Sequence, residues 1–494
     1  MEEACGVFGI YAPGMDVAPL VFDGIFALQH RGQESAGIAV SDSVSITVVK
    51  DLGLVTRVFD QNTLQSLSGY LGLGHVRYST AGKKDWMSAQ PAYRSAGEVG
   101  FALGHNGNLT NVEELASLAN MLPGVLTSDS DIVAELISQT INSLQPTCAS
   151  DVQDARLPDR TICGPEEADK DNLLLQALFQ ILPHLKGAFS FGLIDANQLI
   201  AIRDSNGFRP LCLGKLPSDN APSGAYAIAS ESPALDIVGA DFIREIQPGE
   251  VLVIDKFGPR SYFPFEKERV KPSLCLFEFV YFARPDAVLC GSEVHATRLR
   301  MGMHLAMQAP ADADLVIGVP DSGVPAAEGF AMQSGIPYGQ GLVKNRYIGR
   351  TFITPNQKAR TDAVRRKLNP LKESVKGKKL VVVDDSIVRG TTIRQIVSIL
   401  RDAGATEVHL RVSSPPFKWP CFYGIDTPSR EELLAAKYSE EDMIDILDVD
   451  SISYLNLESL FDAINVGRNG FCDACLTGNY PTQIPVTIKT GSAT

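Results

Sequence analysis

The chain has 494 residues, enough for about three domains, and its 45% hydrophobic and 21% charged residues are typical of a globular protein. A formal net charge of −14 opposes general affinity for nucleic acids or acidic lipids. No apolar run reaches the ~18 residues of a membrane span and no signal-peptide pattern opens the chain. A cytoplasmic location with reduced cysteines is expected, or an organelle stroma if a transit peptide has been removed.

The first half, to about residue 262, predicts a layered α+β structure. Helical spacing of apolar residues between Val17 and Leu28 predicts a helix. The polar stretch Ser143–Asn172 predicts a surface loop, in which Cys148 and Cys163 are expected to be incidental. Strands are predicted for the runs GVFGIYA (6–12), VSITVVK (44–50), VGFALG (99–104), AFSFGLI (188–194) and GEVLVID (249–255).

The second half, from about residue 263, alternates strands with helices. The strand DLVIGV (314–319) precedes a helix at 324–333, and KLVVVDD (379–385) precedes a helix at 391–403. The strand TEVHLRV (406–412) follows. This alternation predicts a parallel sheet.

The string VVVDDSIVRGTT (381–392) predicts a phosphate site at the end of a strand. Ligands of open parallel sheets bind beyond the carboxyl ends of the strands, and backbone N–H groups at a helix start suit a phosphate. Ser386–Thr392 would bind the phosphate, while Asp384 and Asp385 would accept from sugar hydroxyls or hold a divalent cation. A solvated turn with a helix cap is the alternative.

A basic segment, residues 344–367, stands out in this acidic chain with eight Lys or Arg and one Asp. One interpretation is a solvated basic loop and helix. The other is a mobile loop that closes over a small polyanion, because the segment also contains Gly, Thr, Asn and Pro.

Cys5 is placed unusually for a core cysteine or a disulfide partner. A thiol is a nucleophile only as thiolate, so it requires a base within hydrogen-bond reach. One of the chain's seven histidines could be that base. The alternative is the α-amine of Cys5 itself, with a pKa of about 8, if Met1–Ala4 were removed.

Motifs in both halves resemble one enzyme family. CGVFGI (5–10), LQHRGQESAGI (28–38), GHVRYST (74–80), GHNGNL (104–109) and TSDSD (127–131) resemble the glutaminase domain of N-terminal-nucleophile amidotransferases. VVVDDSIVRGTT resembles the 5-phosphoribosyl 1-pyrophosphate (PRPP) motif of type I phosphoribosyltransferases, and GVPDSG (318–323) resembles their pyrophosphate loop. Together they resemble the glutamine PRPP amidotransferases, which catalyse the first step of purine synthesis.

The resemblance implies three parts of the chain. Residues 1–4 would be a propeptide, so the chain as written would be an inactive precursor. Residues 5–262 would form an N-terminal-nucleophile glutaminase domain with αββα layers. Residues 263–494 would form an α/β type I phosphoribosyltransferase domain with a parallel sheet and a C-terminal cluster-binding segment.

The resemblance also implies the residues of a glutamine site. Cys5 would attack the side-chain amide, and Asn106 with the backbone N–H of Gly107 would form the oxyanion hole. Arg77 would bind the α-carboxylate of glutamine and Asp129 its α-ammonium. Nearby residues expected to be structural are His75, Tyr78 and Asp131.

A PRPP site is implied in the second half. Asp384 and Asp385 would bind the ribose hydroxyls and place Mg²⁺, with Ser322 near the metal. Lys367 would contact the pyrophosphate, and the basic segment would be the loop that folds over PRPP. The 5-phosphate would be bound by Ser386, Arg389, Gly390, Thr391 and Thr392.

Four cysteines of the second half form another candidate site: Cys275, Cys421, Cys472 and Cys475. The pair C-x-x-C alone fits a redox pair, a zinc half-site or no site at all. Buried thiols without a ligand are a further alternative. The strings ARPD, SSPP, PCFYGID and CLTGNYP resemble the branch of the family that holds a [4Fe–4S] cluster, so a structural cluster is expected, with zinc as the fallback.

Two other functional classes share part of this pattern. A sugar-phosphate aminating synthase would share the first half but lack VVVDDSIVRGTT. A PRPP-sensing regulator could share the second half but would lack Cys5 and carry a basic DNA-binding face. The expected partners are therefore glutamine, PRPP and purine nucleotide inhibitors, without nucleic acid or membrane. A homo-oligomer, a tetramer by resemblance, is also expected.

Overall fold

The computed structural model describes residues 5–78, 86–121, 128–145, 171–217, 224–345, 367–425, 427 and 429–484. The expected propeptide, Cys148, Cys163 and residues 346–366 of the basic segment lie outside the described residues.

Two antiparallel sheets form the first half. One has seven strands in the order β11-β9-β10-β1-β4-β2-β3, and the other has six in the order β13-β12-β8-β7-β6-β5. The strands are β1 (Gly6–Tyr11), β2 (Ser35–Ser41), β3 (Ile46–Leu52), β4 (Leu71–Arg77), β5 (Ala92–Ala96), β6 (Val99–Leu109), β7 (Gly187–Ile194), β8 (Leu199–Arg203), β9 (Cys212–Leu216), β10 (Ala225–Ala229), β11 (Asp241–Glu245), β12 (Val251–Asp255) and β13 (Gly258–Tyr262). The helices are α1 (Ala18–Ala27), α2 (Val55–Val58), α3 (Gln61–Gln65), α4 (Val112–Leu118), α5 (Asp129–Leu144), α6 (Leu173–Ile181) and α7 (Pro233–Ile237).

These sheets face each other and helices cover their outer faces. Successive residues of β1 point to opposite faces, so Val7 packs between the sheets while Phe8 packs under α1. Helix α1 lies close to its sheet because β4 has glycine there: a Cβ at Gly74 would lie 2.5 Å from Ile25 Cγ2. Helices α5 and α6 cover the other sheet. The predicted αββα layering is confirmed.

A parallel sheet in the order β17-β20-β21-β22 forms the centre of the second half. The strands are β14 (Leu274–Cys275), β15 (Val288–Leu289), β16 (Ser292–Glu293), β17 (Leu315–Gly318), β18 (Leu342–Lys344), β19 (Leu368–Pro370), β20 (Lys379–Asp384), β21 (Glu407–Val412), β22 (Ser451–Tyr454) and β23 (Phe471–Cys472). The helices are α8 (Val294–Gln308), α9 (Val324–Ser334), α10 (Lys372–Val375), α11 (Thr391–Asp402), α12 (Leu434–Lys437), α13 (Glu440–Leu447), α14 (Leu457–Ile464) and α15 (Ala474–Thr477). Single 3₁₀ turns lie at Trp86–Ser88, Leu182–His184, Lys267–Arg269 and Arg430–Glu432, and a π-helical turn lies at Glu278–Phe282.

Strand β20 is buried on both faces, as expected of a central parallel strand. Val381 and Val383 pack against α8, α9 and α14, whereas Leu380 and Val382 pack against α11 and α13. The predicted parallel sheet is confirmed. Strand β13 ends at Tyr262, but the domain boundary at 262/263 stays a prediction. Within the described ranges, no helix combines the length and apolar character needed to cross a membrane.

Candidate active sites

Cys5 lies immediately before β1, which is flanked by β4 and β10. Its Sγ is 3.6 Å from the backbone oxygen of Tyr78, just past the end of β4. Burial raises the pKa of the Cys5 thiol, opposed by a backbone hydrogen bond with Tyr78 and by the positive charges of Arg77 and Arg209. A neutral thiol in this position requires a base before it can act as a nucleophile.

Asn106 and Gly107 lie on β6, in the sheet that faces Cys5. Asn106 is fully buried, and neither its Nδ2 nor its Oδ1 has a hydrogen-bond partner among the described residues. Gly107 has φ +148°, and a Cβ there would lie 2.1 Å from the oxygen of Ala188, so glycine is required. An unpaired buried amide is costly, which marks this position as one prepared for a ligand.

His75 links the two sheets beside this position. Its Nε2 lies 2.9 Å from the carbonyl oxygen of His105, the residue before Asn106. Burial lowers the pKa of His75 to about 3, so the ring is neutral at physiological pH. A neutral, fully buried ring fits the structural role expected for it.

Arg77 and Asp129 place opposite charges near the thiol, since both influence the pKa of Cys5. Arg77 Nη1 is buried, lies 3.6 Å from Glu34 Oε2 and makes no hydrogen bond within the described ranges. Asp129, the first residue of α5, accepts backbone N–H groups from Leu109 at 3.2 Å and Ser130 at 2.8 Å. Burial acts to raise the pKa of Asp129, but the nearby His105 ring and these N–H groups lower it overall.

The backbone of Phe422 and Tyr423, in the second half of the chain, also contacts this site, and the sequence analysis did not predict this. Asn108 Nδ2 donates to the carbonyl oxygen of Phe422 at 3.0 Å, and Arg209 Nε donates to that of Tyr423 at 3.1 Å. The string PCFYGID was interpreted only as part of a cysteine site. No local sequence pattern predicts that the backbone of this string contacts Arg209, more than 200 residues earlier in the chain.

Asp384 and Asp385 lie together at the carboxyl end of the parallel sheet, as predicted. Asp384 ends β20, and Asp385 accepts hydrogen bonds from the hydroxyls of Ser322 and Ser386. Burial, and then the charge of Asp385, raise the pKa of Asp384 well above its usual value. Two carboxylates and two hydroxyls are hard oxygen ligands, a set that suits Mg²⁺.

The predicted phosphate loop follows directly. Gly390 has φ +75° and precedes α11, whose first residues Thr391 and Thr392 are exposed. A helix start with free N–H groups suits a phosphate. Arg389 points elsewhere, because its guanidinium forms a 3.0 Å ion pair with Glu432.

The described ends of the basic segment lie beside the pyrophosphate loop. Strands β18 and β19 pair antiparallel, with the N–H of Asn345 donating to the carbonyl of Lys367 at 2.9 Å. Lys344 forms an ion pair with Asp321 of the GVPDSG loop. Both described ends of the basic segment therefore lie next to the predicted PRPP site.

Cys275, Cys421, Cys472 and Cys475 line one cavity, together with Phe208, Tyr423, Ile425 and Ala474. Strands β14 and β23 place Cys275 opposite Cys472. Burial raises the pKa of Cys275 to about 12 and those of Cys472 and Cys475 well above the usual value. Among the residues that the structure describes, no three His, Cys, Asp or Glu side chains are placed to bind a single metal ion.

Known proteins resemble this chain along nearly its full length. A family model described as "Phosphoribosyl transferase domain" matches residues 293–415. Amidophosphoribosyltransferase from Mycobacterium tuberculosis (strain ATCC 25618 / H37Rv) is 47% identical over 98% of this chain and 87% of its own length. The protein of that name from Synechococcus elongatus is 46% identical over 99% of this chain and 93% of its own. The structure of the B. subtilis glutamine PRPP amidotransferase, complexed with ADP and GMP, has a TM-score of 0.83 at 40% identity over 98% of each chain.

The glutaminase-type first half and the phosphoribosyltransferase second half thus occur in one chain with relatives that match both. The two alternative classes, an aminating synthase and a regulator, each lack one of these halves. The chain belongs to the amidophosphoribosyltransferase family, the glutamine-dependent transferases that convert PRPP to 5-phosphoribosylamine in the first step of purine synthesis.

Proposed function

We propose that the glutamine half-reaction occurs at Cys5 in a chain from which Met1–Ala4 have been removed. Removal creates an α-amine on Cys5 with a pKa of about 8, which takes the thiol proton and later donates it to the leaving nitrogen. Sγ bonds to the glutamine carbonyl carbon, the C–N bond breaks and ammonia leaves. Water then hydrolyses the thioester to glutamate, which restores the thiol.

The buried amide of Asn106, which has no hydrogen-bond partner among the described residues, is the observation that carries this proposal. A negative oxygen forms when Sγ attacks, and Asn106 Nδ2 with the N–H of Gly107 would donate to it. Donors fixed before the reaction need no rearrangement, so removing one costs about 10²–10³ in kcat. A buried amide without a partner is the state expected of such a donor before substrate binds.

We assign the two ends of glutamine to Arg77 and Asp129. Nη1 of Arg77 is paired with Glu34 at 3.6 Å but makes no hydrogen bond among the described residues, so it can donate to the α-carboxylate. The lowered pKa of Asp129 keeps its carboxylate ionised for the α-ammonium. A zwitterionic amino acid requires one group of each sign, and both groups lie near Cys5.

We assign PRPP to the carboxyl end of the parallel sheet. Asp384 and Asp385 would accept from the ribose hydroxyls, and with Ser322 they would hold Mg²⁺. Bound there, Mg²⁺ would supply positive charge to the departing pyrophosphate. The raised pKa of Asp384 supports this role, because a buried carboxylate pair is stabilised by a nearby cation.

The 5-phosphate is assigned to Ser386, Gly390, Thr391 and Thr392 at the start of α11. Lys367 is assigned to the pyrophosphate, since the chain at Lys367 returns beside the GVPDSG loop. Arg389 is proposed as a phosphate ligand only if it leaves Glu432 when PRPP binds. Ammonia then attacks C1 of the sugar as the bond to pyrophosphate breaks.

We propose a [4Fe–4S] cluster for the four cysteines. The cavity that the four cysteines share and the suitability of four thiolates for such a cluster support this proposal, with zinc as the fallback. Bound as thiolates, Cys275, Cys421, Cys472 and Cys475 would join three separate segments. Because the transfer reaction involves no redox step, the role assigned to the cluster is structural.

Four further assignments follow from the family. Purine nucleotides are proposed as inhibitors, since the B. subtilis structure is complexed with ADP and GMP. A homotetramer in the cytoplasm is also proposed, with a domain boundary at 262/263. Light scattering of the purified protein would measure the number of subunits.

Separating the half-reactions tests the central proposal. In protein whose N-terminal sequence begins Cys-Gly-Val-Phe, Cys5→Ser should abolish glutamine-dependent release of pyrophosphate. Synthesis from added ammonia should persist, because the PRPP site does not use the thiol. Retained glutaminase activity in this variant, or full activity in a chain that still starts at Met1, would contradict the proposal.

A further inference from the structure

Arg209 connects the glutamine site to the second half of the chain. Its side chain is fully buried, with Nε donating to the Tyr423 carbonyl and Nη1 donating to Glu278 Oε1, both at 3.1 Å. The third nitrogen, Nη2, is buried and has no hydrogen-bond partner among the described residues. Leaving a donor of a buried cation unpaired is costly, so this group requires a functional explanation.

Gly424 fills the space between Arg209 and the predicted oxyanion donor. Its φ is +103°, and a Cβ there would lie 3.1 Å from Arg209 Nη2 and 3.2 Å from the carbonyl carbon of Gly107. The next residue of that strand, Asn108, bonds to the Phe422 carbonyl at 3.0 Å. Residues 422–424 are therefore fixed against Gly107 by Asn108 on one side and Arg209 on the other.

Arg209 is also one of the charged groups that influence the pKa of Cys5. Burial and Asp129 raise the pKa of the Cys5 thiol, while a backbone hydrogen bond with Tyr78 and the charges of Arg77 and Arg209 lower it. Glu278, on the π-helical turn of the second half, balances Arg209 and also accepts from Arg31 at 2.5 Å. Arg31 is not among the largest influences on the pKa of the Cys5 thiol.

We propose that Arg209 is a positioning residue of the glutamine site, which holds residues 422–424 against Gly107 and is itself held by Glu278. This rests on the proposed role of Gly107 as an oxyanion donor. A shift of Gly107 would misplace its N–H relative to the developing oxyanion, so the loss would affect kcat for glutamine more than binding.

The first test compares Arg209→Lys with Arg31→Lys in processed protein. Both variants lose a guanidinium bond to Glu278 and keep a positive charge, but only Arg209→Lys loses the donor to Tyr423. Arg209→Lys should lower kcat for glutamine roughly ten- to a hundred-fold, the effect of one charge-assisted hydrogen bond. KM for glutamine and synthesis from ammonia should change less than about twofold, because Arg77, Asp129 and the PRPP site are untouched.

The second test measures Cys5 alkylation by iodoacetamide against pH without substrate. Arg209→Met removes a positive charge that stabilises the thiolate, so the apparent pKa of the thiol should rise. Arg31→Met should change this pKa less than Arg209→Met does. Near-unchanged synthesis from ammonia shows that each variant is folded, and if either methionine variant does not fold, the lysine pair decides the question.

Two results would overturn the inference: glutamine kcat within twofold of wild type in Arg209→Lys, or an equal loss in Arg31→Lys. An unchanged alkylation profile in folded Arg209→Met would also count against it. These results are distinct from the result that would contradict the proposed function, namely glutamine hydrolysis by the Cys5→Ser enzyme.

Discussion

Asn106 is retained at the glutamine site at a cost to folding, because an unsatisfied buried amide destabilises a protein by about 1–3 kcal/mol. The paired carboxylates of Asp384 and Asp385 also reduce stability, because burial and mutual repulsion disfavour their ionised forms. Residues that are poorly accommodated without substrate are those expected to contact it.

Asn106→Ala should therefore lower glutaminase kcat by about 10²–10³ while the free energy of unfolding stays equal or rises. Asn172→Ala is the control, because Asn172 caps α6 by accepting from the N–H of Leu175 at 3.1 Å. That variant should lose about 1 kcal/mol of stability and keep its kcat. Urea unfolding and glutamate release measure the two quantities, and unaltered kcat in Asn106→Ala would exclude it from the oxyanion hole.

Asp384→Asn and Asp385→Asn should each reduce PRPP utilisation roughly ten- to a hundred-fold, since each weakens an acceptor of about 1.5–3 kcal/mol. Glutamine hydrolysis measured without PRPP should change little. Asp312→Asn, an exposed carboxylate paired with Lys379 at 3.3 Å, is the matched control. Steady-state kinetics with ammonia in place of glutamine isolates the PRPP step. Unaltered kinetics in both variants would exclude these aspartates from the PRPP site.

Short elements, rather than the large sheets, bring the four cysteines together. Strands β14 and β23 have two residues each, yet their pairing places Cys275 opposite Cys472. The four-residue helix α15 supplies Cys475, whose carbonyl accepts from the N–H groups of Lys418 and Trp419 at 3.0 Å. Elements this short gain little stability from their own hydrogen bonds, so a bound cluster would contribute to their folding.

Cys472→Ser should therefore lose both iron and stability when the protein is purified without oxygen. The wild-type protein should contain about four iron atoms per chain. Cys212→Ser is the control, since Cys212 is an equally buried thiol that bonds to the Ala229 carbonyl away from the cavity. Iron analysis and thermal unfolding distinguish the two variants, and an iron-free, fully active wild-type preparation would refute the cluster.

At the scale of the whole molecule, a buried charge network joins the two halves. Arg31 donates to Glu231 of the first half and to Glu278 of the second. Glu231 accepts in turn from the His30 ring at 2.7 Å and from the backbone N–H of Arg284 at 2.9 Å. Replacing one partner leaves uncompensated charge in the interior, which costs far more than loss of an exposed ion pair.

Glu231→Gln should thus lower the free energy of unfolding by about 3–5 kcal/mol near pH 7. Burial acts to raise the pKa of Glu231, but Arg31 and His30 lower it overall. A carboxylate whose pKa is lowered by folding stabilises the protein above its unfolded pKa of about 4.3, and this stabilisation is lost progressively as the pH falls below that value. The difference in unfolding free energy between wild type and Glu231→Gln should therefore shrink in acid.

The control for this change is Glu114→Gln, whose half-exposed ion pair with Lys186 should contribute less than about 1 kcal/mol. Urea unfolding between pH 3 and 7 measures both variants. An equal, small effect at all pH values would show that the buried network does not stabilise the junction.

Much of the fold was predictable because it is set by local patterns. Buried runs such as 379–384, helical spacing from Val17 and a Gly-Thr-Thr helix start each depend on near neighbours in sequence. Two aspartates that directly follow a parallel strand lie at the ligand-binding edge of the sheet, independently of the distant parts of the chain. Cys5, Asn106 and Arg77 came from motifs of the resemblance, and their roles stay predictions.

The sequence by itself predicted a layered α+β first half, a parallel sheet in the second half and the residue types at both sites. Only the tertiary structure decided that Gly424 would lie against Gly107 and that Arg209 would meet Glu278. Asn108 and Phe422, for example, are 314 residues apart yet bond at 3.0 Å. Such contacts depend on how two independently patterned halves dock, and docking is governed by the complementarity of whole surfaces rather than by the periodicity of any one segment.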